Sequence, residues 1–262
     1  MQTNNQQYHA YITLYCSCCG HQYRIPKPCQ DRFCPTCSYV RTGKIRRRIR
    51  YLVEKQYQVP GQDVRFLTLT IANQTNLDHM VRSLQRSFRR LRQRSFWKRK
   101  VTGGAFVIEI TRPNNSWHAH VHAIIAGDFI PFKKLLEQWI QVSTGRGVYI
   151  KKIPKAAIIG YLTKYITKPD SSLSDYDKYS VSDSLKGTRL FQPFGTWHGW
   201  NRDFKTEKPA CKVCGDRSGF ITQWDLDRLS TSIDEVIQSC NSPPQSYQQL
   251  TMDVIPTYID PF

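Results

Sequence analysis

Residues 105–126 read Ala105-Phe-Val-Ile-Glu109-Ile-Thr-Arg-Pro113-Asn-Asn-Ser-Trp117-His-Ala-His-Val-His122-Ala-Ile-Ile-Ala126. Strand side chains alternate between two faces, and Pro113-Asn114-Asn115-Ser116 is a turn signal between two apolar-rich runs. The stretch therefore predicts a hairpin of strands 105–111 and 117–126. In the second strand Trp117, Ala119, Val121, Ala123 and Ile125 form one apolar face, while His118, His120 and His122 share the other. In the first, Phe106, Ile108 and Ile110 share a face and Glu109 lies on the other with Val107 and Thr111. If the hairpin is centred between Asn114 and Asn115, Glu109 falls directly across from His120. Opposed residues point to the same face with Cβ atoms about 5 Å apart; a slip of one residue would turn Glu109 away. A carboxylate beside two or three imidazoles is a donor set for Mn²⁺, Mg²⁺ or Zn²⁺ with coordination positions left open.

Working outward, residues 64–71 (Val-Arg-Phe-Leu-Thr-Leu-Thr-Ile) are β-branched and apolar and predict a buried strand. Leu77, Val81, Leu84, Phe88 and Leu91 recur at steps of four and three, the pattern of an amphipathic helix. Residues 132–142 read as helix, 148–153 as strand, and 155–167 as a helix stopped by Pro169. The order β-α-β-β-α-β followed by a helix places the chain in the α+β class. The expected architecture is an antiparallel sheet with helices on one face, of ferredoxin-like type. Residues 170–183, rich in Ser, Asp and Tyr, predict a loop. Phe191, Phe194, Trp197 and Trp200 either stack unpaired bases or close a small core, and the core reading is preferred.

The helix after the last strand carries Tyr161-Leu-Thr-Lys164-Tyr165-Ile-Thr-Lys168. Tyr161 and Tyr165 are one turn apart and reach the same point from adjacent turns. Tyrosine, with a free pKa near ~10, is a poor nucleophile on its own. A metal-polarised phosphate activates the attack, and Lys164 and Lys168 could neutralise phosphate oxygens as charge develops. A metal strand followed by paired tyrosines thus suits phosphoryl transfer through a covalent tyrosine.

Composition narrows the partner. Thirty-eight Lys and Arg against twenty Asp and Glu leave a net charge of +18 over 262 residues, which argues for a polyanion. Basic runs fall in 41–50 and 82–100, and Arg46, Arg47, Arg86, Arg89 and Arg90 are the candidate phosphate contacts. A membrane partner is not expected, because no apolar run approaches the ~18 residues of a spanning helix. The polar start, Met1 to Gln7, lacks the apolar core of a secretory signal. A cytoplasmic, reducing setting follows, in which nine cysteines suggest metal before disulfides.

Cys16-x-x-Cys19 and Cys34-Pro-x-Cys37, with Cys29 between them, predict a zinc-ribbon-like segment around a structural Zn²⁺. Which four of these five ligate is open, and Cys18 and His21 are further candidates. Cys211-x-x-Cys214 is a lone pair for which His198 and Cys240 are the nearby complements. The expected division is 1–58 for the cysteine segment and a basic helix, 62–169 for the catalytic core, and 170–239 for an extension with the aromatic cluster and the second cysteine pair. A Ser-, Pro- and Gln-rich tail over 240–262 is expected to be poorly ordered.

Three of these stretches together resemble the HUH endonucleases, in particular rolling-circle replication initiators of plasmids and small phages. Phe66-Leu67-Thr68-Leu69-Thr70 looks like their first motif, His118-Ala119-His120-Val121-His122 like the second, and Tyr161, Lys164, Tyr165 and Lys168 match the third in its two-tyrosine form. Cys29 to Cys37 also resembles the cysteine-rich start of such initiators. The resemblance implies origin or single-stranded DNA as substrate, a catalytic Mg²⁺ or Mn²⁺, a 5′-phosphotyrosyl intermediate and a free 3′-OH that primes synthesis. It implies a host helicase and DNA polymerase as partners, since the chain shows no GxxxxGK[ST] loop. Single-tyrosine initiators carry a glutamate four residues before the tyrosine. Tyr161 stands there in this chain, which favours the two-tyrosine cycle. An HUH transposase of the same chemistry, or a zinc-dependent DNA-binding regulator without catalysis, are the alternative readings.

Overall fold

The computed structural model describes residues 9–29, 31–145, 147–167 and 173–240. In chain order its elements are β1 (Tyr11–Cys16), β2 (Gln22–Pro26), α1 (Pro35–Tyr57), β3 (Asp63–Thr70), α2 (Leu77–Gln93), α3 (Ser95–Lys100), β4 (Val101–Thr111), β5 (His118–Gly127) and α4 (Phe132–Ile140). There follow β6 (Gly147–Lys152), α5 (Lys155–Thr167), α6 (Asp175–Ser184), β7 (Gln192–Gly195), α7 (Thr196–Asp203), β8 (Phe220–Thr222), α8 (Gln223–Leu229) and α9 (Ile233–Cys240). Among the described residues no helix is long and apolar enough to cross a membrane. The expected tail beyond Cys240 lies outside the described residues, as does Lys168.

The chain divides into two units, one drawn from the segments before residue 31 and after residue 204, the other being Asp31–Phe204. This differs from the division read from composition. Helix α1 belongs with the larger unit, because Ile45, Ile49, Leu52 and Val53 recur at helical spacing and pack with Val64 and Phe66 of β3. The stretch after Phe204 belongs with the amino-terminal strands, since β8 pairs antiparallel with β1 in a three-stranded sheet of order β2-β1-β8.

The larger unit holds an antiparallel sheet of order β6-β3-β5-β4-β7. The first four strands keep the expected β-α-β-β-α-β order, and β7 adds an edge that aromatic residues conceal in the sequence. Its Phe194 is buried in the hydrophobic cluster of one sheet face, and Phe191 and Trp197, with Trp200 beside them, in that of the other. These aromatics thus pack into cores, and the Trp197 indole N–H donates to Gln56 Oε1 at 2.9 Å.

Helices cover both faces of this sheet, not one. Leu67, Leu69, Phe106, Ile108, Ile110, Val121, Ala123 and Ile125 form one face, packed with the apolar stripes of α2 and α4. The other face carries Val64, Phe66, Ala105, Val107, Ile124 and Ala126, which pack with α1, α5 and Trp197 of α7. The histidine-bearing face thus has an apolar half of its own, and that half recruits a second helical layer by burying its area.

Residues 174–184 also depart from expectation. The polar loop is helix α6, opened by a capping box in which Ser174 accepts from Asp177 N–H and the Asp177 carboxylate accepts from the Ser174 backbone. Asp177 also pairs with Arg112, and Val181 and Leu185 reach the core. Two apolar side chains and a cap suffice where the composition looks solvent-exposed.

Candidate active site

On the second face each of three strands changes character halfway along. In β3, Val64 and Phe66 give way to Thr68 and Thr70. In β4, Val107 is followed by Glu109, and in β5, Ile124 is preceded by His122, His120 and His118. Alternation thus delivers one polar patch at one end of an otherwise apolar face. The register is the one the hairpin centre requires: Glu109 stands opposite His120 and Thr111 opposite His118. Thr68 and Thr70 flank the histidines from the other side, opposite His122 and His120.

Within the patch Glu109 Oε2 lies 2.7 Å from His122 Nε2. Thr68 Oγ1 is 3.2 Å from His122 Nδ1, and Thr70 Oγ1 is 2.9 Å from His120 Nδ1. Both rings therefore have their Nδ1 engaged by a hydroxyl, which fixes their orientation and turns Nε2 of His122 to Glu109. Burial, followed by the neighbouring His118 and His122, holds His120 down to about 4, so its ring is neutral at physiological pH. The His118 ring is 4.2 Å from that of His120. The ligand-capable atoms of Glu109, His120 and His122 do not all lie within 4.8 Å of one another. Their chemistry, two oriented imidazoles and a carboxylate on one face, nonetheless fits an oxygen- and nitrogen-preferring divalent cation.

Helix α5 delivers the tyrosines because they fall on its buried stripe. Ile158 and Leu162 are fully buried, and Tyr161 and Tyr165 continue the same face. The Tyr165 ring stacks on His122 at 3.6 Å and 11°. Tyr161 rests on Phe66 at 3.6 Å, and the two tyrosine rings are 5.6 Å apart. Burial, then the hydrogen bond with Tyr161, raises the pKa of Tyr165 above its ordinary value, so its hydroxyl is protonated at rest. Lys164 is exposed, with Nζ 5.7 Å from the Tyr165 ring.

Three contributors have a role that the sequence does not assign. Thr68 and Thr70 fall within the motif-like stretch 66–70 but read there as strand residues, and only their register beside the histidines gives them work. Gly147 pairs with Thr70 in β6, and a Cβ there would stand 2.6 Å from Thr70 Cβ and 2.9 Å from Thr70 Oγ1. Its lack of a side chain leaves room for the hydroxyl that orients His120.

The arginines divide between the two helical layers. Arg46 and Arg47 lie on α1, which packs on the histidine-bearing face, and Arg46 is exposed. Arg86 and Arg90 line a cleft of about 370 Å³ with Arg82 and His79, facing Ser143 and Thr144. Arg89 lines a second cavity of about 370 Å³ with Arg92 and Arg189. Both clefts border α2, on the opposite side of the sheet.

The cysteines also divide. In the smaller unit the sulfurs of Cys16, Cys19, Cys211 and Cys214 all lie within 4.8 Å of one another, close enough to hold a metal ion. Cys29 belongs to the same unit and is exposed. Cys34 and Cys37 are buried in the larger unit, where Cys34 Sγ accepts from the Cys37 N–H at the start of α1.

Residues 21–144 match a protein family described as Replication protein. Two curated relatives are each named Protein rep. The one from a Bacillus species is 32% identical over 101 residues, covering 37% of this chain and 33% of that protein. The one from Bacillus amyloliquefaciens is 30% identical over 101 residues, covering 37% of this chain and 30% of that protein. The matched stretch thus spans a third or less of either relative. No solved structure matches significantly. The family match includes β3 to β5 with Glu109 and the histidines, and ends before α5 and its tyrosines.

Proposed function

We propose that this chain, which matches the replication protein family over residues 21–144, initiates rolling-circle replication of a plasmid by nicking one DNA strand. The observation that carries the reading is the stacking of Tyr165 on His122, itself paired with Glu109 and flanked by His120. Packing alone has no use for a carboxylate, three imidazoles and two tyrosines around one point.

A divalent cation held by Glu109, His120 and His122, as Mg²⁺ or Mn²⁺, would polarise the scissile phosphate as a Lewis acid. Thr68 and Thr70, at the Nδ1 atoms, would keep both imidazoles turned so that Nε2 is the atom offered to the cation. The hydroxyl oxygen of Tyr165 or Tyr161 forms a bond to phosphorus as the bond from phosphorus to the 3′-oxygen breaks. The phenolic proton is lost, and the departing 3′-oxygen takes one up as a free 3′-OH. One phosphodiester is exchanged for another, so the 5′ end is retained on the protein as a phosphotyrosine. The second tyrosine allows a second transfer before the first end is released. Lys164 and Lys168 would offset charge on the phosphate oxygens. The substrate is the single-stranded region of origin DNA, with Arg46, Arg47, Arg86, Arg89 and Arg90 contacting phosphates. Unwinding and synthesis fall to a host helicase and polymerase.

The test is incubation with end-labelled single-stranded origin DNA and Mn²⁺, resolved on a denaturing gel. A protein–DNA adduct is expected, lost in Tyr161→Phe/Tyr165→Phe while DNA binding persists. An adduct that survives the double replacement would overturn the tyrosine mechanism.

A further inference from the structure

Cys16 and Cys19 follow one another through the loop that leaves β1. Cys211 and Cys214 lie about two hundred residues further on, in a loop before β8. The two loops are built alike. Gly20 N–H donates to Cys16 O at 2.8 Å, and Gly215 N–H donates to Cys211 O at 2.8 Å. Cys16 N–H donates to His21 O at 2.9 Å, and Cys211 N–H donates to Asp216 O at 2.8 Å. Gly20 and Gly215 both take positive φ, 69° and 74°, which a side chain would strain. Each Cys-x-x-Cys-Gly loop therefore turns its two sulfurs to one side, and the two loops face each other.

The distances fit one ion. Cys16 Sγ to Cys214 Sγ and Cys19 Sγ to Cys211 Sγ are each 3.7 Å. A disulfide needs about 2.05 Å, and all four cysteines are free of one. A tetrahedron of Zn–S bonds of about 2.3 Å has edges near 3.8 Å. We infer that Cys16, Cys19, Cys211 and Cys214 bind one structural Zn²⁺, making the smaller unit a zinc ribbon split between the two ends of the chain.

Two further observations favour a metal over four packed thiols. The Tyr23 hydroxyl accepts from Lys212 N–H at 2.7 Å, and its own proton is left to donate to Cys211 Sγ at 3.2 Å. A donor aimed at sulfur is the supporting partner that a ligating thiolate uses. The apolar core of this unit is also small, consisting of Leu14 and Phe220 with the cysteines, flanked by Tyr23 and Ile25. So small a core needs a staple to fold. Four protein ligands leave no open position, so the ion is structural. All four ligands lie outside the family match at 21–144, and the site is independent of the nicking chemistry. It joins Cys16 and Cys19 to Cys211 and Cys214, where spacing alone groups them with residues 29–37.

Zinc in the purified full-length protein is measured by elemental analysis, beside Cys16→Ser, Cys211→Ser and the Cys16→Ser/Cys211→Ser double variant. One shared ion requires each single variant to lose one zinc per chain relative to the unaltered protein, and the double variant to lose no more than either alone. Cys214→His, which keeps a ligand at an exposed position, should retain the ion and change the charge-transfer spectrum of the cobalt-substituted protein. This guards against loss through misfolding alone. Unchanged zinc in Cys211→Ser, or losses that add in the double variant, would overturn the shared site.

Discussion

The two faces of the five-stranded sheet are made by the same residues in alternation, yet they behave differently. On the face covered by α2 and α4, apolar side chains continue without a polar break from Leu67 to Ile71 and from Phe106 to Ile110. On the other, apolar positions stop at Phe66, Val107 and Ile124, and Thr68, Thr70, Glu109 and the histidines continue the rows. The first face is a core with basic clefts outside its helical layer. The second is half core and half chemical site, with the tyrosines of α5 seated at the border. Packing thus fills one side of these strands and half of the other, and the polar patch takes the half that remains.

The sharpest way to break this division is to withhold the proposed divalent cation. Dialysis against a chelator should abolish strand cleavage, and Mn²⁺ should restore it. The thermal transition of the larger unit should barely move, because its core lies in Leu67, Leu69, Ile108, Val121 and Ile125. Cleavage that persists without any divalent ion would remove the metal from the second face. A collapse of the fold on chelation would show that packing and chemistry are not separable there.

The hairpin is legible in the sequence because its information is local. Period-two alternation and a Pro-Asn-Asn-Ser turn settle which residues share a face, and a turn centre with its register places Glu109 opposite His120. The tyrosine helix is legible for the same reason, its stripe repeating at three and four. What stays hidden depends on distant segments coming together. Thr68 and Thr70 become significant only beside β5, Gly147 only beside Thr70, and the cover on the second face only once α1 and α7 dock. The cysteine pair at 211 and 214 looks solitary because its partners, Cys16 and Cys19, lie at the other end of the chain. Helix α6 is obscured because its cap and two apolar side chains are outweighed in composition by Ser, Asp and Tyr.

A smaller effect is expected from the hydroxyls that orient the histidines. Thr70→Val keeps the β-branched shape against Gly147 and removes only the partner of His120 Nδ1. Removing such a supporting hydrogen bond typically costs 10–100-fold in metal affinity or activity. The Mn²⁺ concentration for half-maximal cleavage should rise accordingly, and Thr70→Ser should recover most of that effect. Thr68→Val should cost less, since its hydrogen bond with His122 is longer at 3.2 Å. A fall in activity with no change in metal dependence would mean that Thr70 only packs.

The smallest effect on chemistry should come from the other side of the sheet. Arg82, Arg86 and Arg90 stand at steps of four along the exposed flank of α2 and line one cleft with Ser143 and Thr144. The apolar stripe of that helix, Leu77 to Leu91, is buried on the opposite flank, so the arginines can be removed without opening the core. If they neutralise phosphates of DNA flanking the nick, Arg82→Ala/Arg86→Ala/Arg90→Ala should weaken binding to long origin DNA severalfold at moderate salt. The dependence of log affinity on log salt should fall by roughly 0.9 for each phosphate no longer neutralised. Cleavage of a short single-stranded oligonucleotide at saturating concentration should stay near its original rate, because none of the three arginines lies on the histidine-bearing face. An unchanged salt dependence would take DNA off this cleft. A fall in short-substrate cleavage equal to the fall in binding would show that the two faces share one task.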